Sequence, residues 1–407
     1  MNIRIEKSVA RGEIIAPPSK SYAHRLLLCG ALAQGESEIK GIIDSEDMLA
    51  TLDVISALGA STEIKNQTAY IKGAKLKENK GTLKFNCRES GSTLRFIIPI
   101  ALTLGGVCEF YGSERLLERG VSVYEELFNE KGIEFKVEKD KITANGRLTS
   151  GVFNVPGNIS SQFISGLLFA LPLLTGNSVI NITTELESAG YIDLTLDAIS
   201  AFGVQIEKRE NSFFIKGGQK YKPCHIAVEG DMSNAAFLEA FNHLGGEVSV
   251  LGLNKDSKQA DSVYFKLFNS LKSGYSEIDV SSCPDLAPIL FTVAAIYDGA
   301  KFTGTRRLKI KESDRADAMA MELSKLGALV EVNENSVIVK KSKLVAPKEP
   351  ISSHNDHRIV MSMAVLLSHF GGEIQDYEAV SKSYPDFFSE ISKIGIRCEE
   401  VYNENNK

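Results

Sequence analysis

One pattern recurs six times along these 407 residues and limits what they can fold into. Each copy has a polar start, an apolar helical run, a glycine and then a strand-like stretch. The copies begin PSKSYAHRLLLCGALAQG, SGSTLRFIIPIALTLGG, ISSQFISGLLFALPLLTG, DMSNAAFLEAFNHLGG, CPDLAPILFTVAAIYDG and NDHRIVMSMAVLLSHFGG. Their closing glycines are Gly35, Gly106, Gly176, Gly246, Gly299 and Gly372, at intervals of 71, 70, 70, 53 and 73 residues. Glycine just past a helix end is the usual left-handed C-cap, so these positions are expected to be equivalent. A second helix follows in each copy and stops at Gly59, Gly132, Gly203, Gly274, Gly327 and Gly395, at intervals of 73, 71, 71, 53 and 68 residues. The same short interval in both series marks the fourth copy as truncated.

Each unit therefore reads as helix, strand, helix and hairpin, and the alternation predicts layered α/β structure. The first helices, such as FIIPIALTL and LLFALPLL, are apolar all round and are expected to be buried. The second helices are amphipathic and should cover the outside. Stretches such as STEIKNQTAYIK alternate polar and apolar residues, as a sheet with one solvated face does. In the fourth copy a single strand, YSEIDV, is expected to replace the hairpin. The sixth copy ends without a full hairpin, and the N-terminal strand NIRIEKS has no helix before it, so the two termini are expected to pair. This gives one domain of repeats one to three, residues 15–226, and a second of repeats four to six. The second is discontinuous, residues 1–14 plus 227–407, and is closed by the N-terminal strand. The chain would cross between them near Ile14 to Pro18 and near Tyr221 to Gly230, with the cleft between domains as the default ligand site.

Composition narrows the function. Lys plus Arg is 46 and Asp plus Glu is 52, a net charge of −6, which disfavours a protein that tracks a nucleic-acid backbone. The longest apolar stretches, Phe96 to Leu104 and Leu167 to Leu174, fall short of the roughly 18 residues of a membrane helix. MNIRIEKSVARGEI has no apolar signal-peptide core. The six cysteines (Cys29, Cys87, Cys108, Cys224, Cys283, Cys398) are far apart, so neither a disulfide framework nor a zinc site is predicted. A reducing cytoplasm is the expected setting.

Polar residues collect where the buried helices start: Ser19, Lys20, Ser21, His24 and Arg25; Arg88, Ser90, Gly91, Ser92 and Arg95; Ser160, Ser161 and Gln162; Asp285; and Asn355, Asp356, His357 and Arg358. Capping accounts for one Ser or Asp at each start, Ser19, Ser92 and Asp231 among them. It does not account for Lys20, Arg25, Arg95 and Arg358 beside apolar runs, where cations need an anion to meet them. Free N–H groups and the macrodipole of helix N-termini add to the pull on anions. Arg115 and Arg119 in ERLLERG, Lys311, Glu312, Asp314 and Arg315 in KIKESDR, and Lys382 in SKSYPDFF precede second helices. A ligand bearing phosphate, carboxylate or both is expected. There is no P-loop and no dinucleotide fingerprint.

The set PPSKSYAHR, ESGSTLR, ERLLERG, SSQF, PDLAP, KIKESDR, NDHR and KSYPDFF, in this order across residues 17–387, resembles the 5-enolpyruvylshikimate-3-phosphate synthase family of enolpyruvyl transferases. The resemblance implies an α/β fold, a two-domain inside-out α/β barrel with three βαβαββ repeats and buried helices in each domain. It implies transfer of the enolpyruvyl group of phosphoenolpyruvate to the 5-hydroxyl of shikimate 3-phosphate, with release of phosphate, on the way to chorismate and the aromatic amino acids. It assigns Lys20, Ser21, Arg25, Ser160, Ser161, Gln162, Ser188, Asp285 and Lys311 to shikimate 3-phosphate. It assigns Lys20, Gly91, Arg119, Gln162, Arg315, Arg358 and Lys382 to phosphoenolpyruvate. Asp285 is implied as the base at the hydroxyl and Glu312 as the group acting at the methylene carbon, with Lys20 a partner to either.

The resemblance implies no metal and no organic cofactor, a monomer acting on small molecules, and a target of glyphosate. Three places depart from the family's common pattern: Glu89-Ser90-Gly91-Ser92, Arg307, and Ala189-Gly190-Tyr191. The alternative is UDP-N-acetylglucosamine enolpyruvyl transferase, which shares fold and donor but uses a loop cysteine. The matching stretch Glu114 to Gly120 has none.

Overall fold

The computed structural model describes residues 1–118 and 120–401. It divides into two compact units, Pro18–Glu229 and Met1–Pro17 with Gly230–Lys407.

In the Pro18–Glu229 unit three inner helices, Lys20–Leu32, Gly91–Leu102 and Ser161–Ala170, carry the core. The first is buried except at Lys20 and Ser21, the second except at Ser92, the third except at Gln162. Their apolar circumference thus meets protein on every side, and the accessible residues lie in the first turn. Each helix belongs to a sheet of the same design. In the second repeat Thr82–Asn86 runs parallel to Val107–Tyr111, which pairs antiparallel with Lys141–Asn145, itself paired with Glu134–Val137. Along Val107–Tyr111 only Cys108 and Phe110 are buried, so one face of the strand points to the helices. The first repeat has no leading strand of its own. His225–Ala227, where the chain leaves the unit, runs parallel to Glu36–Lys40 and fills that place.

In the other unit the inner helices are Met232–Ala240, Ala287–Ile296 and His357–Phe370. The fourth repeat has a two-stranded parallel sheet, Arg11–Ile15 with Glu247–Leu251. The strand after Gly274, Ser276–Asp279, does not stand in for the missing hairpin. It pairs parallel with Gly299–Thr303 and so leads the fifth sheet. In the sixth sheet Asn2–Ile5 lies antiparallel between Gly372–Gln375 and Cys398–Val401, with Ile3 opposite both Ile374 and Glu400.

The closing glycines are less uniform than the spacing suggests. Gly106 and Gly299 are left-handed, with φ of 75° and 81°, while Gly35 and Gly372 have φ of 146° and 153° and Gly176 is not among the positive-φ residues. One reason is that the third and fourth inner helices tighten into 3-10 turns, Leu171–Leu173 and Phe241–Leu244, before they end.

Gly166 shows how closely the inner helices approach. A Cβ there would lie 2.3 Å from the Arg95 carbonyl oxygen, 2.3 Å from the Tyr124 hydroxyl and 3.0 Å from Pro99 Cγ. Those first two atoms are already joined, since Tyr124 donates to the Arg95 carbonyl at 2.8 Å. Gly166→Ala is expected to destabilise the protein by about 1–3 kcal/mol through overpacking, despite alanine's better helix propensity. Urea unfolding checks this; an unchanged midpoint would mean the helix pair can separate freely.

Candidate active site

The inner helices of the Pro18–Glu229 unit start with hydroxyl caps. Ser19 accepts from the Tyr22 N–H at 3.4 Å, Ser90 from the Thr93 N–H at 3.4 Å and Ser160 from the Gln162 N–H at 3.3 Å. Ser90 therefore caps the second helix, not Ser92 as the sequence suggests. Beside these caps stand the cations. Lys20 Nζ donates to Asp47 Oδ2 at 2.8 Å; Asp47 lies in the first turn of the outer helix Glu46–Ala57. Arg25 is buried. Its Nε donates to Thr195 Oγ1 at 2.8 Å and its terminal nitrogens to the carbonyls of Ser21 at 2.6 Å and Tyr191 at 3.0 Å. It also lies over the Phe96 ring at 5.1 Å. Burial lowers its pKa to about 10.

Arg95 orients two predicted site residues. Its Nη1 donates to Gln162 Oε1 at 2.8 Å and, more weakly, to the Gly91 carbonyl at 3.4 Å. Its Nη2 reaches the Gly120 carbonyl at 3.0 Å. With the amide oxygen engaged, the Gln162 NH2 is the group presented for other contacts. A buried hydroxyl chain ties the helix starts together: Ser90 to Thr93 at 2.8 Å, Thr93 to Thr51 at 2.9 Å, and Thr51 to His24 Nδ1. Burial lowers the His24 pKa to about 3, so the ring is neutral at physiological pH. Ser161 is buried, and Ser188 is buried in a left-handed conformation, φ 56°, just before the helix Ala189–Ala201 that supplies Tyr191 and Thr195 to Arg25. Ser21 is half-buried in the first turn of its helix. Arg119 lies outside the described residues.

The other unit gathers Asp285, Lys311, Glu312, Arg315 and Arg358 into one cluster. Arg315, 1% exposed, is its centre. Nη1 donates to Asp285 Oδ1 at 2.8 Å, Nη2 to Glu312 Oε2 at 2.7 Å, and Nε to Asp356 Oδ2 at 2.9 Å. Burial works against the charge, but Asp356, Glu312 and Asp285 outweigh it and raise the pKa. Asp285 also accepts from Lys311 Nζ at 3.2 Å and from Arg358 Nη2 at 3.1 Å. Arg358 further donates to Ser233 Oγ at 2.7 Å and to the Asp285 carbonyl at 3.2 Å. Burial brings the Lys311 pKa down to about 8. Asp356 caps the helix His357–Phe370 through the Arg358 N–H at 3.0 Å. Lys382 Nζ donates to the Asn355 carbonyl at 2.7 Å.

One expectation changes. Lys311, Arg315 and Arg358 are met by carboxylates of the chain itself, so their presence beside apolar helices does not by itself demand a foreign anion. Asp285 does not serve as a helix cap: the N-cap of Ala287–Ile296 is Leu286, without a side-chain bond. Sequence reasoning missed Asp47, Thr51, Thr93 and Thr195. Asp47 in SEDML reads as an ordinary acidic first turn, and the threonines carry no local signal.

Residues 5–391 match the sequence profile of EPSP synthase (3-phosphoshikimate 1-carboxyvinyltransferase). The chain is 43% identical to a 3-phosphoshikimate 1-carboxyvinyltransferase of Clostridium acetobutylicum, with 97% of each chain covered. The fold is similar to that of a solved EPSP synthase from Acinetobacter baumannii, with TM-score 0.79, 24% identity, and 98% of this chain and 99% of that chain covered. It is similar to the enolpyruvyl transferase NikO of Streptomyces tendae as well, with TM-score 0.79, 12% identity and 98% of each covered. With a profile spanning nearly its whole length and a relative at this identity, the chain belongs to the EPSP synthase (3-phosphoshikimate 1-carboxyvinyltransferase) family.

Proposed function

We infer that this enzyme transfers the enolpyruvyl group of phosphoenolpyruvate to the 5-hydroxyl of shikimate 3-phosphate and releases phosphate. The observation that carries the chemistry is the Arg315 fork, which holds Asp285 on one terminal nitrogen and Glu312 on the other, 2.8 and 2.7 Å away. Two carboxylates beside Lys311 and Arg358 suit a reaction that moves two protons around an anionic donor. Small molecules are the substrates, and no described helix is long and apolar enough to cross a membrane. A cytoplasmic monomer is the form we propose.

In this reading Lys20, Ser21, Arg25, Ser160, Ser161, Gln162, Ser188, Asp285 and Lys311 hold shikimate 3-phosphate. Lys20, Gly91, Arg119, Gln162, Arg315, Arg358 and Lys382 hold phosphoenolpyruvate. A proton is added to the methylene carbon, C2 becomes cationic, and the 5-hydroxyl attacks it as Asp285 takes the hydroxyl proton. The adduct then loses phosphate and a methyl proton, with Glu312 serving the methylene carbon in both directions. The cluster has a further consequence for this scheme. An arriving phosphate or carboxylate competes with Asp285 and Glu312 for the guanidinium groups. As the carboxylates lose cation partners their affinity for protons rises, which readies them as bases when substrate is present.

Asp285→Asn keeps the shape and hydrogen-bond acceptor but not the base. Turnover is expected to fall about 10²- to 10⁴-fold with a folded protein, measured by phosphate release from the two substrates. Asp285→Ala additionally strips Lys311, Arg315 and Arg358 of their shared carboxylate, and about 3–5 kcal/mol of stability should go with it. Full turnover in Asp285→Asn would remove the catalytic role.

Lys311 supplies a pH test. Its charge is lost as pH rises through about 8, not through the ordinary 10.5. KM for shikimate 3-phosphate should therefore climb above pH 8 in the natural enzyme and stay flat in Lys311→Arg. Stability changes the opposite way: between those values the unfolded chain binds a proton that the folded one lacks, so this group's contribution improves as pH increases. A flat KM across that window in the natural enzyme would exclude Lys311 from the binding of shikimate 3-phosphate.

A further inference from the structure

The inner helix of the sixth repeat is entered through a turn that the backbone resists. His354 and Asn355 are consecutive residues with φ of 48° and 53°. Side chains with a Cβ seldom take the left-handed region twice in succession. The turn is held by Glu322, which is 1% exposed. One carboxylate oxygen accepts from the Ser352 N–H at 2.9 Å and from Lys325 Nζ at 2.8 Å. The other meets His354 Nε2 at 2.8 Å. An ionised carboxylate only accepts, so this nitrogen carries the ring proton. The turn is completed by the His354 N–H on Ser352 Oγ at 3.2 Å and the Asn355 N–H on Ser353 Oγ at 3.1 Å.

What the turn sets is the other side of the site. The Asn355 carbonyl receives Lys382 Nζ at 2.7 Å, and the next residue, Asp356, receives Arg315 Nε at 2.9 Å. Glu322 itself sits on the outer helix Arg315–Lys325, two turns after Arg315 and on the same face. Its buried neighbours on that helix, Met319 and Leu323, are apolar. Packing alone would call for another such residue, because a buried carboxylate is costly unless donors surround it.

We propose that Glu322 is a positioning residue for phosphoenolpyruvate: its buried carboxylate locks the His354–Asn355 turn, and the turn places Lys382 and the Asp356–Arg315 pair. The proposal rests on the assignment of Lys382 and Arg315 to that substrate. Glu322→Gln loses the charge that holds Lys325 and the Ser352 N–H, and its NH2 can meet His354 Nε2 only if the ring proton moves to Nδ1, so the clamp weakens without a change of size. KM for phosphoenolpyruvate is expected to rise about ten- to a hundredfold, because small displacements of positioning groups cost this much. KM for shikimate 3-phosphate should rise several-fold less, since only Asp285 and Lys311 among its groups connect to this turn, through Arg315, and the rest belong to the Pro18–Glu229 unit. Asn355→Gly in the Glu322→Gln background should bring the phosphoenolpyruvate KM back toward the natural value, because glycine takes the left-handed turn without help.

His354→Ala removes the clamp from its other side and should show the same split of the two KM values if Glu322→Gln does not fold. A loss of melting temperature with both KM values unchanged would overturn the proposal, as would equal rises in both or a rise that Asn355→Gly leaves in place. Lys382→Met separates the two levels. If it raises the phosphoenolpyruvate KM and Glu322→Gln does not, the assignment stands and Glu322 is merely structural. If Lys382→Met changes nothing, the assignment is wrong and the proposal falls with it.

Discussion

The charge cluster of the discontinuous unit hangs on one buried guanidinium. Arg315 has almost no contact with solvent, yet it keeps its charge because Asp285, Glu312 and Asp356 surround it. Removing a single ion from water costs several kcal/mol even after relaxation, so a charge this deep persists only with full pairing. A lysine could not replace it: three carboxylates approach from three directions, and only a planar fork presents Nε, Nη1 and Nη2 to all of them. Arg315, Lys311 and Arg358 together balance Asp285, Glu312 and Asp356. Cations and carboxylates alternate in this network, so a change at one of them changes the partners left to the others.

The continuous unit solves a similar problem with neutral partners. Arg25 is satisfied by a hydroxyl, two carbonyls and the face of Phe96, with no carboxylate among the contacts described. Lys20, by contrast, is paired with Asp47. The hydroxyl chain from Ser90 to His24 and the Arg95–Gln162 bond hold three helix starts in register, so the first turns, the accessible part of otherwise buried helices, are rigid.

Much of this was legible in the residues. The two glycine series reported six copies because helix stops are local events, and the all-apolar FIIPIALTL and LLFALPLL runs reported burial because a helix apolar all round has no face to give to water. The polar first turns, with Lys20, Arg25, Gly91, Gln162 and Arg358, were visible because they break those runs. The strand Ser276–Asp279 was misplaced: a lone strand after a helix carries no mark of which sheet it will join, and here the partner is the strand that follows in the chain. Ser90 and Ser92 could not be told apart as caps, since a two-residue difference in helix boundary decides between them.

The residues by themselves determined the repeat, the inner and outer helices and the places where polar groups interrupt the core, because periodicity, capping and composition act over a few residues. Only the tertiary structure decided which charges meet. Asp285 and Arg358 are 73 residues apart, Arg315 and Asp356 41, Lys20 and Asp47 27, and Arg25 and Thr195 170. Nothing local in either partner points to the other. Whether a cation beside an apolar helix awaits a ligand or already has a carboxylate is settled by distance across packed repeats, where a few ångströms separate a neutral pair from a charge the core could not hold.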